Sequence, residues 1–158
     1  MIVDPTDKVK AGDTIYAASF AVRDGVEVVS VEKALVARTG PRFVDLKSRG
    51  CDAVWFGMEA YAGRKRLRRH ELLCSEGRAI HDLLWRASAE LLDLQVELGR
   101  ARLAALRLPS NEAEDNMKEL EAYLGVQRRK VDLAWAKLAD IGYVLPDPER
   151  GAALRGQS

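Results

Sequence analysis

Four side chains of this 158-residue chain could ligate a metal ion or supply a nucleophile: Cys51, His70, Cys74 and His81. A structural zinc site usually contains at least one close pair of ligands, and these residues form neither a C-x-x-C nor a paired-histidine motif. Cys74 lies near His81 in sequence, but that closeness does not create a nucleophile–base pair, and such a cysteine usually serves packing. Nucleotide-binding and serine-hydrolase motifs are absent from the sequence. We therefore expect no metal, no cofactor and no catalytic residue, and hence no enzyme.

A second feature of the sequence is a run of basic residues, which can bind anions. The segment from Arg38 to His70 contains nine lysines and arginines against three acidic residues. Such a cluster attracts phosphates or an acidic protein surface, and the nearby Trp55, Phe56 and Tyr61 could stack on bases. The alternative is a solvated edge strand that is protected by its charge. Five residues form the centre of the run: Arg64, Lys65, Arg66, Arg68 and Arg69.

The overall composition excludes several classes of protein. The chain has 25 basic and 24 acidic residues, with 47% hydrophobic and 31% charged residues. It is too apolar for a disordered protein and too charged for a membrane protein, and residues 1–7 do not resemble a secretory signal. We expect a soluble, cytoplasmic protein that makes no membrane contact.

The elements that position the basic run are predicted to be short strands. Arg23-Asp24-Gly25 is typical of a hairpin turn, because Asp and Gly tolerate positive φ angles. Five strands in about 60 residues favour a small barrel over residues 9–70, since closure removes exposed strand edges. The predicted strands are 14–22, 26–37, 42–46, 53–58 and 64–69.

Two long helices are predicted after residue 74. Ser75 is the expected N-cap of a helix over residues 76–107, and Asn111 is the expected cap of a second helix that continues to Ile141. Gly142 should end this helix. The domain organisation is therefore a barrel, a helical hairpin over residues 75–142 and a flexible tail over residues 143–158.

Hydrophobic residues in both predicted helices repeat with alternating steps of three and four, a 3.5-residue period that is typical of a coiled coil. The short link requires the helices to run antiparallel. Gln127 is the polar member, and it could fix the register or simply lie opposite an alanine. The first series is Ile80, Leu84, Ala87, Leu91, Leu94, Leu98, Ala101 and Ala105; the second is Met117, Leu120, Leu124, Gln127, Val131, Ala134, Leu138 and Ile141.

The first helix carries a second apolar series, about 150° around the helix from the first at 100° per residue. We expect the barrel to reach Trp85 and Leu92 only, and a second chain to cover the rest, as a homodimer or a hetero-complex. The alternative is that the barrel or the folded-back tail covers the whole series. Its members are Trp85, Ala89, Leu92, Val96, Gly99, Leu103 and Leu106.

Two segments carry a resemblance to a known class of proteins. The opening Val9-Lys10-Ala11-Gly12-Asp13-Thr14-Ile15-Tyr16 resembles the first turn and strand of small SH3-like barrel proteins. A barrel that leads into Leu73-Cys74-Ser75-Glu76-Gly77-Arg78-Ala79-Ile80 is similar to a layout of small bacteriophage proteins. The resemblance covers residues 9–85 and implies an accessory protein of a phage or mobile element, which acts in the bacterial host cytoplasm. Such proteins bind host machinery, including RNA polymerase and CRISPR effectors.

Three functions follow as hypotheses. The first is an anti-CRISPR-like or other inhibitor that binds a host protein or nucleoprotein complex by protein contact. The second is a nucleic-acid-binding module that uses the basic run, and the third is a virion or assembly component. The expected partner-binding residues are the five of the basic run together with Trp85, Leu92, Val96, Leu103 and Leu106.

Overall fold

The computed structural model describes residues 8–47, 66–69 and 72–144, which form an α+β fold. A four-stranded antiparallel half-barrel, in which each strand pairs with the next along the chain, is followed by two helices. The strands are β1 (Thr14–Arg23), β2 (Val26–Thr39), β3 (Phe43–Leu46) and β4 (Arg66–Arg68), and the helices are α1 (Glu76–Arg107) and α2 (Asn111–Asp140).

A tight turn joins β1 and β2 into a long hairpin, as predicted. Asp24 and Gly25 form the two-residue connection, and both have positive φ angles, of 52° and 76°. Strands β1 and β2 stay in register over their whole paired length, from Thr14 opposite Leu35 to Arg23 opposite Val26. Between β2 and β3 the register shifts at Val36–Arg38, and such a bulge bends a strand, which fits the curvature of a half-barrel.

The two faces of the β1–β2 hairpin contribute to two different hydrophobic cores. Successive side chains of a strand point to opposite faces, so alternate residues separate into two sets. One set lines the half-barrel: Val9, Ile15, Ala17, Ala34, Val36, Val44, Leu46, Leu67 and Leu72. The other packs against the helices: Ala18, Tyr16, Phe20, Val29 and Val31 meet Ala79, Ile80, Leu83, Leu84, Ala134 and Leu138.

Local capping sets the ends of both helices. The Ser75 hydroxyl accepts a hydrogen bond from the Arg78 amide at 3.1 Å, as predicted for the start of α1. The predicted cap of α2 is wrong by one residue: Ser110 is the N-cap and Asn111 is already helical. Ser110 has the extended backbone of a cap, and its hydroxyl accepts from the Ala113 amide at 3.1 Å.

The end of α2 is closed by a Schellman motif. Gly142 has a positive φ of 68° and donates to the Ala139 carbonyl, while Tyr143 donates to the Leu138 carbonyl at 3.0 Å. The Tyr143 side chain is half-buried against the core between the helices and the sheet. The helical unit therefore extends one residue into the predicted tail, and residues 145–158 lie outside the described residues.

The two helices pack antiparallel along the predicted seam. Residues near the end of α1 pack against residues near the start of α2, and the base of α1 meets the end of α2. One predicted seam position is wrong: Ile141 is exposed, because it is the C-cap residue beyond the last helical turn. The buried seam residues are Ile80, Leu84, Ala87, Leu98, Leu120, Leu124, Gln127, Ala134 and Leu138.

The predicted strand over residues 53–58 lies outside the described residues, so the described sheet has four strands rather than the predicted five. Within the same described ranges, neither helix contains a stretch that is long and apolar enough to cross a bilayer.

Candidate protein-binding surface

The second apolar series of α1 lies on the molecular surface. Its five large side chains, which we call the exposed stripe, all face outward along one side of the helix. Ala89 and Gly99 lie between them and are also exposed. The exposed fractions are 72% for Trp85, 62% for Leu92, 55% for Val96, 58% for Leu103 and 79% for Leu106.

The stripe is exposed because the sheet and α2 both pack on other sides of α1. Helix α2 packs on the seam side, and the sheet packs on Ala79, Ile80 and Leu83. A main-chain bond from Tyr16 to the Leu73 carbonyl, at 2.9 Å, connects β1 to the residues just before α1. The sheet is thus joined to the start of α1 on the side that carries Ala79 and Leu83.

The described part of the half-barrel does not cover Trp85 and Leu92, so for those residues the expectation is wrong. Both side chains are more than half exposed, because the sheet packs on a different side of α1. Among the residues that the structure describes, the stripe is continuous from the base of the helix to its last turn.

The stripe is long enough to be an interface. Trp85 and Leu106 are separated by 21 residues, which corresponds to about 32 Å at 1.5 Å per residue. Its far end opens into a hollow at the tip of the helical pair, lined by Ala105, Leu106, Pro109 and Met117. Removing a large aliphatic or aromatic side chain from water contributes roughly 1.5–3 kcal/mol when its burial is complete. Five such side chains on one face can therefore stabilise an association substantially.

The basic run is only partly within the described structure. Arg64 and Lys65 lie outside the described residues, and Arg66, Arg68 and Arg69 lie on or just after β4. Arg66 Nε is 2.7 Å from Asp45 Oδ1, and Arg38 Nη2 is 2.7 Å from Asp45 Oδ2. Asp45 therefore bridges two arginines on the outer face of the half-barrel.

This bridge changes the acid–base behaviour of its members. The hydrogen bonds from Arg66 and then Arg38 lower the pKa of Asp45 from its usual 3.8 to about 2, against the opposing effect of partial burial. The hydrogen bond to Asp45 raises the pKa of Arg66. The carboxylate thus stays charged at neutral pH and offsets part of the positive charge predicted for binding.

Arg69 connects separate segments of the half-barrel. Its Nε donates to the Gly40 carbonyl at 2.8 Å, and its Nη1 donates to the Val9 carbonyl at 3.4 Å. Its side chain is half-buried. The structure therefore gives Arg69 a structural role that the sequence hypothesis, in which the whole run serves binding, did not include.

The outer face of the half-barrel still combines positive charge with an aromatic ring. Arg68 lies opposite Phe43 in the β3–β4 pairing. The Phe43 ring is 43% exposed, and the Arg66 guanidinium lies 6.0 Å from its centre. Arg38, Pro41, Arg42 and Phe43 border a shallow hollow there. Phe43 was not among the predicted binding residues; the structure places it on the outer face, with its neighbour Val44 buried.

The sequence candidates for metal or thiol chemistry do not form a site within the described residues. Cys51 and His70 lie outside those residues. Cys74 is half-buried against the half-barrel core, and the His81 ring lies 6.0 Å from the ring of Tyr143. In the described ranges, no group of three or more His, Cys, Asp or Glu residues could hold a metal ion.

Sequence reasoning also missed the charges beside the exposed stripe. Asp93 and Arg100 are both exposed, and seven residues separate them, so they lie on the same flank of α1. The sequence already indicated this placement, because Asp93 directly follows Leu92 and Arg100 directly follows Gly99 of the second apolar series.

Comparison with known proteins found no family model, no curated protein and no solved structure that matches this chain.

Proposed function

We propose that this chain is a non-enzymatic binding protein that docks on another polypeptide through the exposed stripe of α1. The observation that carries the proposal is the exposure of Trp85, Leu92, Val96, Leu103 and Leu106, each by more than half, along one face of a 32-residue helix.

The physical reason is the cost of leaving a continuous apolar face in water. Exposed apolar residues are common singly, but a contiguous patch rimmed by polar residues is typical of an interaction site. A straight helix face with anchors at three- and four-residue steps suits either a second helix or a hydrophobic groove. The stripe therefore favours a protein partner over a small ligand.

The identity of the partner is the finer part of the proposal. The resemblance of residues 9–16 and 73–80 to small SH3-like phage proteins supports an accessory role in a bacterial host. In that role, the chain blocks or redirects a host protein or nucleoprotein complex, as an anti-CRISPR-like inhibitor does. The order of four antiparallel strands supports an SH3-like barrel as the N-terminal unit.

The test compares the wild type with a Val96→Glu/Leu103→Glu double variant. Each is immobilised and exposed to nuclease-treated bacterial lysate, and any protein retained is purified and its affinity measured directly. Tyr123→Glu is the matched control, because Tyr123 is 56% exposed but lies on α2. We expect the purified partner to bind the wild type and the control, and to lose at least tenfold in affinity for the double variant. Equal affinity for all three proteins would contradict the proposal.

A second candidate is nucleic-acid binding by the outer face of the half-barrel. Arg38, Arg66 and Arg68 lie there beside the exposed ring of Phe43, which is a combination suited to phosphates and stacked bases. Asp45 opposes this function, because its charge lies between two of the arginines. Single-stranded oligonucleotide binding that weakens steeply with salt, and falls on Phe43→Ala, would support this candidate.

A further inference from the structure

We propose that the occupant of the exposed stripe is a second copy of this chain, and that the two α1 helices pair antiparallel about a two-fold axis near Val96. This inference rests on the proposed function, because it concerns the same surface, but it names a second copy in place of the host complex as the polypeptide that covers the stripe. Three observations support it: the order of large and small residues along the stripe, the charges on one flank of α1, and the side of α1 on which the sheet packs.

The order of large and small residues along the stripe suits pairing with a second copy that runs in the opposite direction. In an antiparallel pair, Ala89 faces Leu106 of the second copy, and Val96 faces Gly99 of the second copy. Leu92 then faces Leu103. Gly99 has nothing within 4 Å of the place where a Cβ would be, so another helix can approach its backbone closely. Large side chains thus have small neighbours at two of the three central layers, as knobs-into-holes packing requires.

The flanking charges distinguish the antiparallel from the parallel arrangement. A two-fold axis perpendicular to the helices places each flank against the same flank of the second copy. Asp93 then faces Arg100 of the second copy, and the symmetry repeats the contact. Within the described residues, neither side chain is engaged in an ion pair of its own chain.

A parallel pair would bring opposite flanks together. Arg102, which pairs with Glu121 of its own chain at 3.4 Å, would then face Arg107 of the second copy, twice, and Asp93 would have no basic side chain opposite it. At the ends of the antiparallel pair, Arg107 approaches Arg86, whose charge is already balanced by Asp82 at 3.0 Å. The contacts between arginines are thus equivalent in the two arrangements, and the two Asp93–Arg100 contacts favour the antiparallel one.

The position of the sheet leaves room for this pairing. The half-barrel packs on the Ala79 and Leu83 side of α1, and α2 packs along the seam, so both lie away from the stripe. Antiparallel pairing from Ala89 to Leu106 places the two half-barrels at opposite ends. The result is a four-helix arrangement with the two α1 helices at its centre.

The test measures self-association of the full chain by sedimentation equilibrium over a range of concentrations. We expect a reversible dimer for the wild type. Asp93→Arg and Arg100→Asp should each weaken dimerisation by about tenfold or more, because each creates two like-charge contacts across the axis. The double variant D93R/R100D should restore dimerisation, since it exchanges the two charges.

Glu119→Arg is the matched control, because Glu119 is an exposed acidic residue of α2, the helix that takes no part in the proposed pairing. It should dimerise like the wild type. A monomeric wild type at about 100 μM, or a double variant no better than the singles, would overturn the antiparallel self-pairing. If the wild type is monomeric and V96E/L103E binds a purified partner more weakly, the self-pairing is wrong. The proposed function then holds, with that partner on the stripe.

Discussion

Gln127 on α2 donates a hydrogen bond from its Nε2 to the main-chain carbonyl of Ala87 on α1, at 3.0 Å. The same amide nitrogen lies 3.0 Å from Glu90 Oε2. Gln127 is buried within an otherwise apolar seam, and both contacts depend on the register that the structure shows. The sequence analysis offered two hypotheses for Gln127, a register contact or a position opposite an alanine. The structure combines them, because Gln127 lies opposite Ala87 and donates a hydrogen bond to its carbonyl.

Replacing Gln127 should show how much this contact stabilises the helical pair. Gln127→Ala removes a buried hydrogen bond and leaves a void, so we expect a loss of about 1–3 kcal/mol in the free energy of unfolding. Gln127→Leu fills the void without a polar group and should cost less than Gln127→Ala. Urea denaturation checks both, with exposed Gln95→Ala as the control that should change stability little. An unchanged midpoint for Gln127→Ala would contradict this role.

Gly77 should be intolerant of a side chain, because the ring of Tyr143 occupies the position of its Cβ. Gly77→Ala should therefore destabilise the protein by roughly 1–3 kcal/mol through overpacking. In a Tyr143→Ala background the same substitution should be neutral or stabilise by up to about 1 kcal/mol, since Ala favours a helix more than Gly. A double-mutant cycle followed by thermal unfolding measures the coupling, and additive effects would mean that the two residues do not meet.

The Asp45 bridge makes a prediction about acid stability. Its folded-state pKa of about 2 lies below the usual 3.8, so the contribution of the bridge is complete above about pH 5. That contribution should be lost as the pH falls toward 2, when the carboxylate protonates. We expect Asp45→Asn to be less stable than the wild type at pH 7, and the difference to shrink between pH 4 and pH 2. A difference that stays constant with pH, measured by chemical denaturation, would show that the charge is not responsible.

Arg69 should matter for folding more than Arg42, an exposed arginine of the same half-barrel. Arg69→Ala removes a charged donor from two carbonyls of other segments, which we expect to cost about 1.5–3 kcal/mol. Arg42→Ala, at an exposed position of the same face, should stay within about 0.5 kcal/mol of the wild type. Thermal melting of the two variants provides the measurement. Equal melting temperatures would show that the Arg69 contacts are not important for stability.

The sequence predicted the elements that depend on local signals. The bounds of α1 agree with the structure because Ser75 is a capping residue directly before a regular heptad pattern. The start of α2 was displaced by one residue because Ser110 and Asn111 are both good capping residues, and only the backbone angles select between them.

Contacts between distant segments were not predictable in the same way. Arg69 bonds to carbonyls that lie 29 and 60 residues away in the chain, and no local pattern announces them. The stripe on α1 was visible from its spacing, but its exposure at Trp85 and Leu92 depended on which side of the helix the sheet would pack. In the structure the even-numbered face of β1 packs on α1, and the Leu73–Tyr16 backbone bond joins the two elements.

The most direct test of the account is the behaviour of Val96→Glu/Leu103→Glu, measured by circular dichroism together with light scattering. Both side chains are more than half exposed, so the single chain should keep its helix content and melt as a folded monomer. The wild type at the same concentration should have twice the mass of the variant. A variant that unfolds would contradict the account, because the stripe would then be internal core rather than a docking surface.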